Sequence, residues 1–318
     1  MTAPITLGTE YAPLPLEPDP AVLGLVSMSV HSALGSAVAY HRPVRTSTRA
    51  TILLHGAAGS WSTWTPLLAA AELADIPIIN PVLVDMPGWG RGTLGDDPAA
   101  RTIETVATLV RDVAEQLGYT EWDLVGHSMG GFIALHMASE WPQSVLSVGT
   151  VSATTWSVIE SVAHPVRRFT LLPAFTALWQ VMRLLAALGR AGVGLVRGAH
   201  RIGLLRTATL PLFRHGYGVD ASVTRSIADD VRPVSFTAAA EITRGYDADA
   251  RWRGISCPIR ALSGDRDVFV LPSDLERLRR IQPGAVTTVI EDCGHFAQVE
   301  RPFDTLAALG FAPPHTDR

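Results

Sequence analysis

Trp122-Asp123-Leu124-Val125-Gly126-His127-Ser128-Met129-Gly130-Gly131-Phe132 is the stretch on which the reading of this chain turns. It reads as a short buried strand running into Gly126-His127-Ser128-Met129-Gly130, the G-x-S-x-G pattern of a nucleophile elbow. A serine at the tip of a sharp strand-to-helix turn sits in strained φ/ψ, and neighbouring chain passes too close to its flanks to admit a Cβ. The gain is an exposed hydroxyl above a helix N-terminus, whose unpaired N–H groups can face a developing oxyanion. Five residues of this type also arise by chance in Gly- and Ser-rich chains. The decisive question is whether the rest of the sequence supplies an acid, a base and an oxyanion hole in order.

Upstream of the elbow, Ile103, Val106, Val110, Val113 and Leu117 step by three and four, so 102–118 is a helix with one apolar face, closed by Gly118. Before it, Ile78 to Val84 reads as a strand that breaks at the turn-rich Asp85-Met86-Pro87-Gly88-Trp89-Gly90. Thr51-Ile52-Leu53-Leu54 reads as a buried strand ending in His55-Gly56-Ala57-Ala58-Gly59-Ser60, with a helix from Trp61 to Leu73. Residues 36–42 suggest an edge strand, and 1–20 an irregular, proline-rich arm. Downstream, a helix from Met129 to about Glu140 stops at Pro142, and Val145 to Val151 is another strand. The pattern resumes at Cys257 with strand 257–263, helix 272–281, strand 285–291 and helix 302–309. Strands alternating with helices predict an α/β fold, a mostly parallel sheet covered on both faces.

Between 154 and 248 the alternation lapses. This stretch is rich in Leu, Ala and Val, carries eight arginines between Arg167 and Arg214, and has no Asp or Glu from Ser161 to Val219. Arg183, Arg190, Arg197 and Arg201 would share one face of a continuous helix, although the glycines at 189, 192, 194 and 198 weaken it. The expected organisation is a core domain of 1–153 and 249–318 with an inserted, mainly helical cap over 154–248.

Composition narrows the chemistry. The chain has no lysine, which removes Schiff-base, Walker-type and Ser-Lys mechanisms at once. A formal charge of −4 gives no reason to expect nucleic acid as a partner. Two cysteines, Cys257 and Cys293, make neither a disulfide framework nor a zinc site. The first 20 residues carry Glu10, Glu17 and Asp19 and no basic residue, unlike a secretory leader. No apolar run is long enough for a membrane span. The expectation is a soluble protein of a reducing cytoplasm; the oligomeric state is left open.

His55-Gly56, Asp85-Met86-Pro87-Gly88-Trp89-Gly90, the elbow, Gly264-Asp265-Arg266-Asp267 and Gly294-His295-Phe296 stand in that order, each at the C-terminal end of an expected strand. In this the chain resembles an α/β-hydrolase over nearly all of 36–312 apart from the cap. The resemblance implies Ser128 as nucleophile and His295 as its base, completing the order Ser…Asp…His. It implies Asp267 as the acid that orients the imidazole, with Asp265 as the rival; Glu291 and Asp292 precede the histidine too closely. His127 reads as a shape element of the elbow, His55 as a hydrogen-bonded loop residue, and His136 lies within the following helix. The backbone N–H groups of Ala57 and Met129 are the expected oxyanion hole. Trp61, Trp89 and Trp156 are candidates to line a substrate pocket.

A serine at the elbow disfavours the halide- and epoxide-opening relatives, which resemble this chain but use aspartate there. The expected reaction is hydrolysis of a small to medium hydrophobic carboxylic ester through an acyl-enzyme, with no metal or organic cofactor. The cap arginines raise a narrower reading, an anionic monoester such as a monoalkyl ester of an aromatic dicarboxylic acid. A C–C bond hydrolase, a cofactor-free perhydrolase or haloperoxidase of the same fold, and a non-catalytic ligand-binding protein remain as alternatives. The cap also admits contact with an anionic membrane surface.

Overall fold

The computed structural model describes residues 10–312. Its sheet has nine strands: β1 (Val26–Ser32), β2 (Gly35–His41), β3 (Arg49–Leu54), β4 (Pro81–Asp85), β5 (Thr93–Leu94), β6 (Glu121–His127), β7 (Val145–Val151), β8 (Ile259–Gly264) and β9 (Val286–Ile290). They lie in the order β1-β2-β4-β3-β6-β7-β8-β9, with β5 paired to β2. Pairing is antiparallel around β2 and parallel from β4 through to β9. Parallel strands covered on both faces need apolar side chains at successive positions, and every residue of Ala50–Leu54 and Pro81–Asp85 is buried. The neighbours of β3 are β4 on one side and β6 on the other, so the chain reverses direction across the sheet there. That reversal opens a crevice at the C-terminal ends of β3 and β6, where the loop after Leu54 and the elbow meet.

Helices α1 (Thr65–Leu73), α2 (Ile103–Gln116) and α3 (Met129–Glu140) cover the sheet. The apolar stripe of α2 joins one large core with Phe132, Ile133 and Leu135 of α3, while Leu67, Ala70 and Ala71 of α1 belong to the core on the other face. Helix α2 starts at a capping box between Thr102 and Thr105, which satisfies N–H groups that the first turn leaves unpaired.

Eight α-helices, two single 3-10 turns and no strand fill the chain between β7 and β8: α4 (Trp156–Ala163), α5 (Arg168–Leu171), α6 (Pro173–Ala187), α7 (Arg190–Arg201), α8 (Leu204–Thr209), α9 (Ala221–Asp229), α10 (Pro233–Glu241) and α11 (Ala248–Trp252). The two ends of this insertion are fixed in the main core by Trp156 and Trp252, whose rings meet edge to face at 5.0 Å. The chain then closes with α12 (Pro272–Ile281), α13 (Ala297–Glu300) and α14 (Pro302–Leu309).

Three expectations change. A strand, β1, precedes the expected edge strand; Val26, Met28 and Val30 alternate with Ser27, Ser29 and His31, but only Val30 is buried. The strand read from Ile78 begins at Pro81. The arginine-bearing stretch is two helices, because the chain turns at Gly189 with φ 52°, which separates Arg183 from Arg190, Arg197 and Arg201. Residues 1–9 of the proline-rich arm lie outside the described residues.

Candidate active site

Ser128 stands alone between the last residue of β6 and the first of α3, with φ 52° and ψ −116°. A side chain held in such a region costs about 1–3 kcal/mol, so the surroundings must over-determine it. They do: its N–H donates to Val151 O at 3.0 Å, and its carbonyl accepts from Gly131 and Thr154. A Cβ on Gly126 would lie 2.2 Å from Gly130 O, and one on Gly130 would lie 2.2 Å from Leu54 O. Glycine on both sides is therefore a steric requirement of the turn. Met129, at the first position of α3, has no intrahelical acceptor for its N–H.

His295 follows β9 and is 3% exposed. Its Nδ1 lies 2.9 Å and 3.0 Å from the two carboxylate oxygens of Asp267. Asp267 is itself fixed, accepting the N–H groups of Phe269 and Val270. The neighbouring Asp265 is committed elsewhere: its Oδ1 accepts the Cys293 N–H. Asp292 sits in an exposed cluster with His215 and Arg301. The His295 peptide is held from both sides, its N–H donating to Leu212 O and its carbonyl accepting from His127 Nε2 at 2.9 Å. That bond sets the His127 tautomer with the proton on Nε2. Burial, reinforced by His295, holds His127 neutral, with its pKa well below the usual imidazole value. His127 is thus a buttress. His55 is another, with Nδ1 donating to Gly56 O and Nε2 accepting the Met86 N–H; burial lowers its pKa to about 4. His136 bonds the Tyr246 hydroxyl, away from Ser128.

Ser128 and His295 line the same cavity, together with Ala57 and Met129. The Ala57 and Met129 N–H groups make no hydrogen bond among the described residues, so both are free to donate to a bound oxygen. Apart from Thr154 and Thr243 the rest of the wall is apolar, led by Phe132, Phe175, Phe236, Phe269 and Phe296. Atom-free space amounts to about 780 Å³, part of it continuous with solvent.

The expected tryptophans do not line it. Trp61 stacks on Tyr40 at 4.5 Å within the core beneath the sheet. Trp89 is buried in the core on the other face, and Trp156 anchors α4 with its Nε1–H on Asp249. Large indoles at the roots of loops fill volume between layers, and the cavity wall comes instead from phenylalanines: Phe132 of α3, Phe175 and Phe236 of the insertion, Phe269 after β8 and Phe296 after β9. No arginine lines the cavity either. The carboxylate-binding role read from the cap arginines is therefore corrected: Arg183, Arg190, Arg197 and Arg201 are exposed outside the cavity, Arg183 lying over the buried ring of Trp179 at 5.2 Å.

Two carboxylates that support the site were missed from sequence. Glu300 is fully buried, and accepts from the N–H groups of Gly294, Phe296 and Arg214 and from the Tyr11 hydroxyl, which ties down the loop carrying His295. Burial raises its pKa against the pull of those donors. Asp230, from the insertion, accepts the Gly90 N–H and pairs with Arg232, which also donates to the Gly88 and Gly90 carbonyls. The turn at 85–90 is thus clamped from above, while Asp85 beneath it accepts from Trp61 N–H, Arg91 N–H and the Tyr40 hydroxyl. A charged residue closing the run Phe296-Ala297-Gln298-Val299 was the available signal for Glu300; Asp230 offered none.

Similarity to known proteins agrees with this geometry. An uncharacterised protein of Mycobacterium tuberculosis is 27% identical over 266 residues, covering 78% of this chain and 70% of its own length. The pyrrolizixenacetamide deacetylase of Xenorhabdus hominickii is 24% identical over 263 residues, covering 81% of this chain and 88% of that one. Among solved structures, the carboxylesterase CesB of Bacillus subtilis superposes with a TM-score of 0.64 at 18% identity, over 92% of this chain and 94% of its own. Residues 51–309 match the profile of the alpha/beta hydrolase family, from β3 to the end of α14, and with the elbow inside that span the chain belongs to this family.

Proposed function

We propose that this protein is a serine hydrolase of neutral, hydrophobic carboxylic esters that works through an acyl-enzyme. The observation that carries the reading is one cavity wall holding both a strained Ser128 and a His295 whose Nδ1 is bonded to Asp267. Serine is a weak nucleophile until a base takes its proton. Nε2 of His295 accepts it as Oγ attacks the ester carbonyl carbon, a contribution of about 10²–10⁴ in rate. Asp267 holds the imidazole with its proton on Nδ1 and stabilises the imidazolium. The carbonyl oxygen, now an oxyanion, accepts from the Ala57 and Met129 N–H groups, each worth about 3–4 kcal/mol in the barrier. The imidazolium returns its proton to the leaving alcohol, giving acyl-Ser128. Water, deprotonated by the same Nε2, then releases the carboxylic acid and restores the hydroxyl. The phenylalanine-lined wall selects an apolar acyl or alcohol group. Two free thiols, Cys257 and Cys293, fit a reducing cytoplasm.

The deacetylase relative supports a second reading, in which the same steps cleave an acetamide and His295 protonates a leaving amine. Initial rates on p-nitrophenyl esters from acetate to octanoate, beside an aryl acetamide, separate the two. Ester turnover that rises with acyl length, and falls at least about 10⁴-fold in Ser128→Ala and His295→Ala, is the expected result. Hydrolysis of a vinylogous diketone in place of every ester would point to C–C bond cleavage. Tight binding without turnover would leave a ligand-binding protein.

A further inference from the structure

The helical insertion has two sides of different chemistry. On α6, Phe175 and Leu178 face the cavity, and Trp179 and Met182 are buried beneath the helix. The opposite stripe, Ala177, Val181, Leu184 and Leu188, repeats at four, three and four residues and is apolar throughout, with Val181 51% and Leu184 64% exposed. On α7, Arg190, Arg197 and Arg201 form one exposed stripe, and Leu195, followed by Ile202 just beyond the helix, forms another beside it; Leu195 is 57% and Ile202 79% exposed. Arg183, Arg190, Arg197 and Arg201 pair with no carboxylate among the described residues. No acidic residue occurs from Ser161 to Val219, although the chain as a whole carries a formal charge of −4.

We propose that the outer face of α6 and α7 is a docking surface for an anionic lipid bilayer. Apolar side chains exposed in a row are unfavourable in water and mark a surface that is covered in use. Side by side with arginines, on helices that carry no carboxylate of their own, and with Asp229 of α9 paired to His200, they match an interface whose acyl boundary takes the leucines and whose phosphates take the guanidiniums. The charge argues against a second copy as the occupant: a two-fold contact on this face would set arginine stripes near one another, with only Asp229, already paired to His200, between them. None of the described helices is long and apolar enough to cross a membrane, so the contact is a peripheral one.

Co-sedimentation of the full chain with vesicles tests this, using Ser128→Ala so that hydrolysis cannot alter the lipid. Binding to equimolar phosphatidylglycerol and phosphatidylcholine vesicles should exceed binding to phosphatidylcholine alone by about tenfold or more, and should weaken as salt shortens the Debye length to about 3 Å near 1 M. Both Val181→Asp/Leu184→Asp and Arg190→Glu/Arg197→Glu/Arg201→Glu should lose that preference while keeping the wild-type circular dichroism. Arg279→Glu/Arg280→Glu, on exposed residues of α12, should keep it. Equal binding to neutral and anionic vesicles, no binding to either, or equal loss in the α12 variant overturns the proposal. So does a dimer in sedimentation velocity that Leu184→Asp dissociates without any vesicle binding, since the face would then be covered by another copy.

Discussion

The loops at the C-terminal ends of the strands and the outer helices of the insertion are held by opposite means. Glu300 meets three backbone N–H groups and a hydroxyl in a fully buried setting, and Asp85 meets two N–H groups and a hydroxyl in another. Leu184 and Leu195, by contrast, present most of their surface to solvent. A buried polar frame has few alternative arrangements, because each lost partner leaves an unpaired donor or acceptor. An amphipathic helix resting on apolar contacts has many. The difference locates precision in the loops and leaves adaptability to the insertion.

Substitutions in the loops should therefore act far more strongly than substitutions on the outer helices. The largest effect is expected in Asp267→Asn. An amide whose NH₂ meets Nδ1 forces the imidazole proton onto Nε2, so His295 can no longer accept from Ser128, and kcat should fall by about 10⁴ with little change in urea stability. A drop below tenfold would remove Asp267 from the mechanism. Glu300→Ala comes next. It leaves Gly294, Phe296 and Arg214 N–H groups without an acceptor, and should cost about 3 kcal/mol or more in urea unfolding. A loss under 1 kcal/mol would mean that the loop is held by packing.

His55 offers a test by pH. Its folded pKa is about 4 against 6.5 unfolded, so between those values the unfolded chain binds more protons. Its contribution is complete above about pH 6.5 and is lost as pH falls toward 4, roughly 3 kcal/mol in full at about 1.4 kcal/mol per pH unit. Burial of His127 acts in the same direction. Unfolding free energies measured at intervals across that window should show a flatter pH dependence in His55→Gln than in the wild type; identical slopes would contradict a neutral buried imidazole. The smallest effect is expected in Leu184→Ser, within about 0.5 kcal/mol of the wild type by the same assay. A larger cost would show that the outer stripe of α6 contributes to folding.

The sequence disclosed what local sterics and spacing dictate. Gly126 and Gly130 are legible because backbone passes where a Cβ would be, and α2 because its stripe repeats over many turns. The cavity wall was not legible. It depends on where eight short helices settle, and a tryptophan beside a functional loop is as well suited to filling the space between layers, as Trp61 and Trp89 do. The arginines misled for a related reason: periodicity tells which residues share a side of a helix, but not which side meets the cavity. Gly189 broke the run in two, and the arginines of both halves stand exposed outside the cavity.

Because β7 and β8 are neighbours in the sheet, the chain leaves one and rejoins the other past the Trp156–Trp252 contact, and what lies between is pinned again by Asp230 on Gly90 and by Leu212 and Arg214 at the loop that carries His295. Such an attachment makes the helical segment part of the frame that holds the loops. A foreign segment joined at those two indoles would have to bring its own acceptor for the His295 N–H and its own clamp for the turn at 85–90.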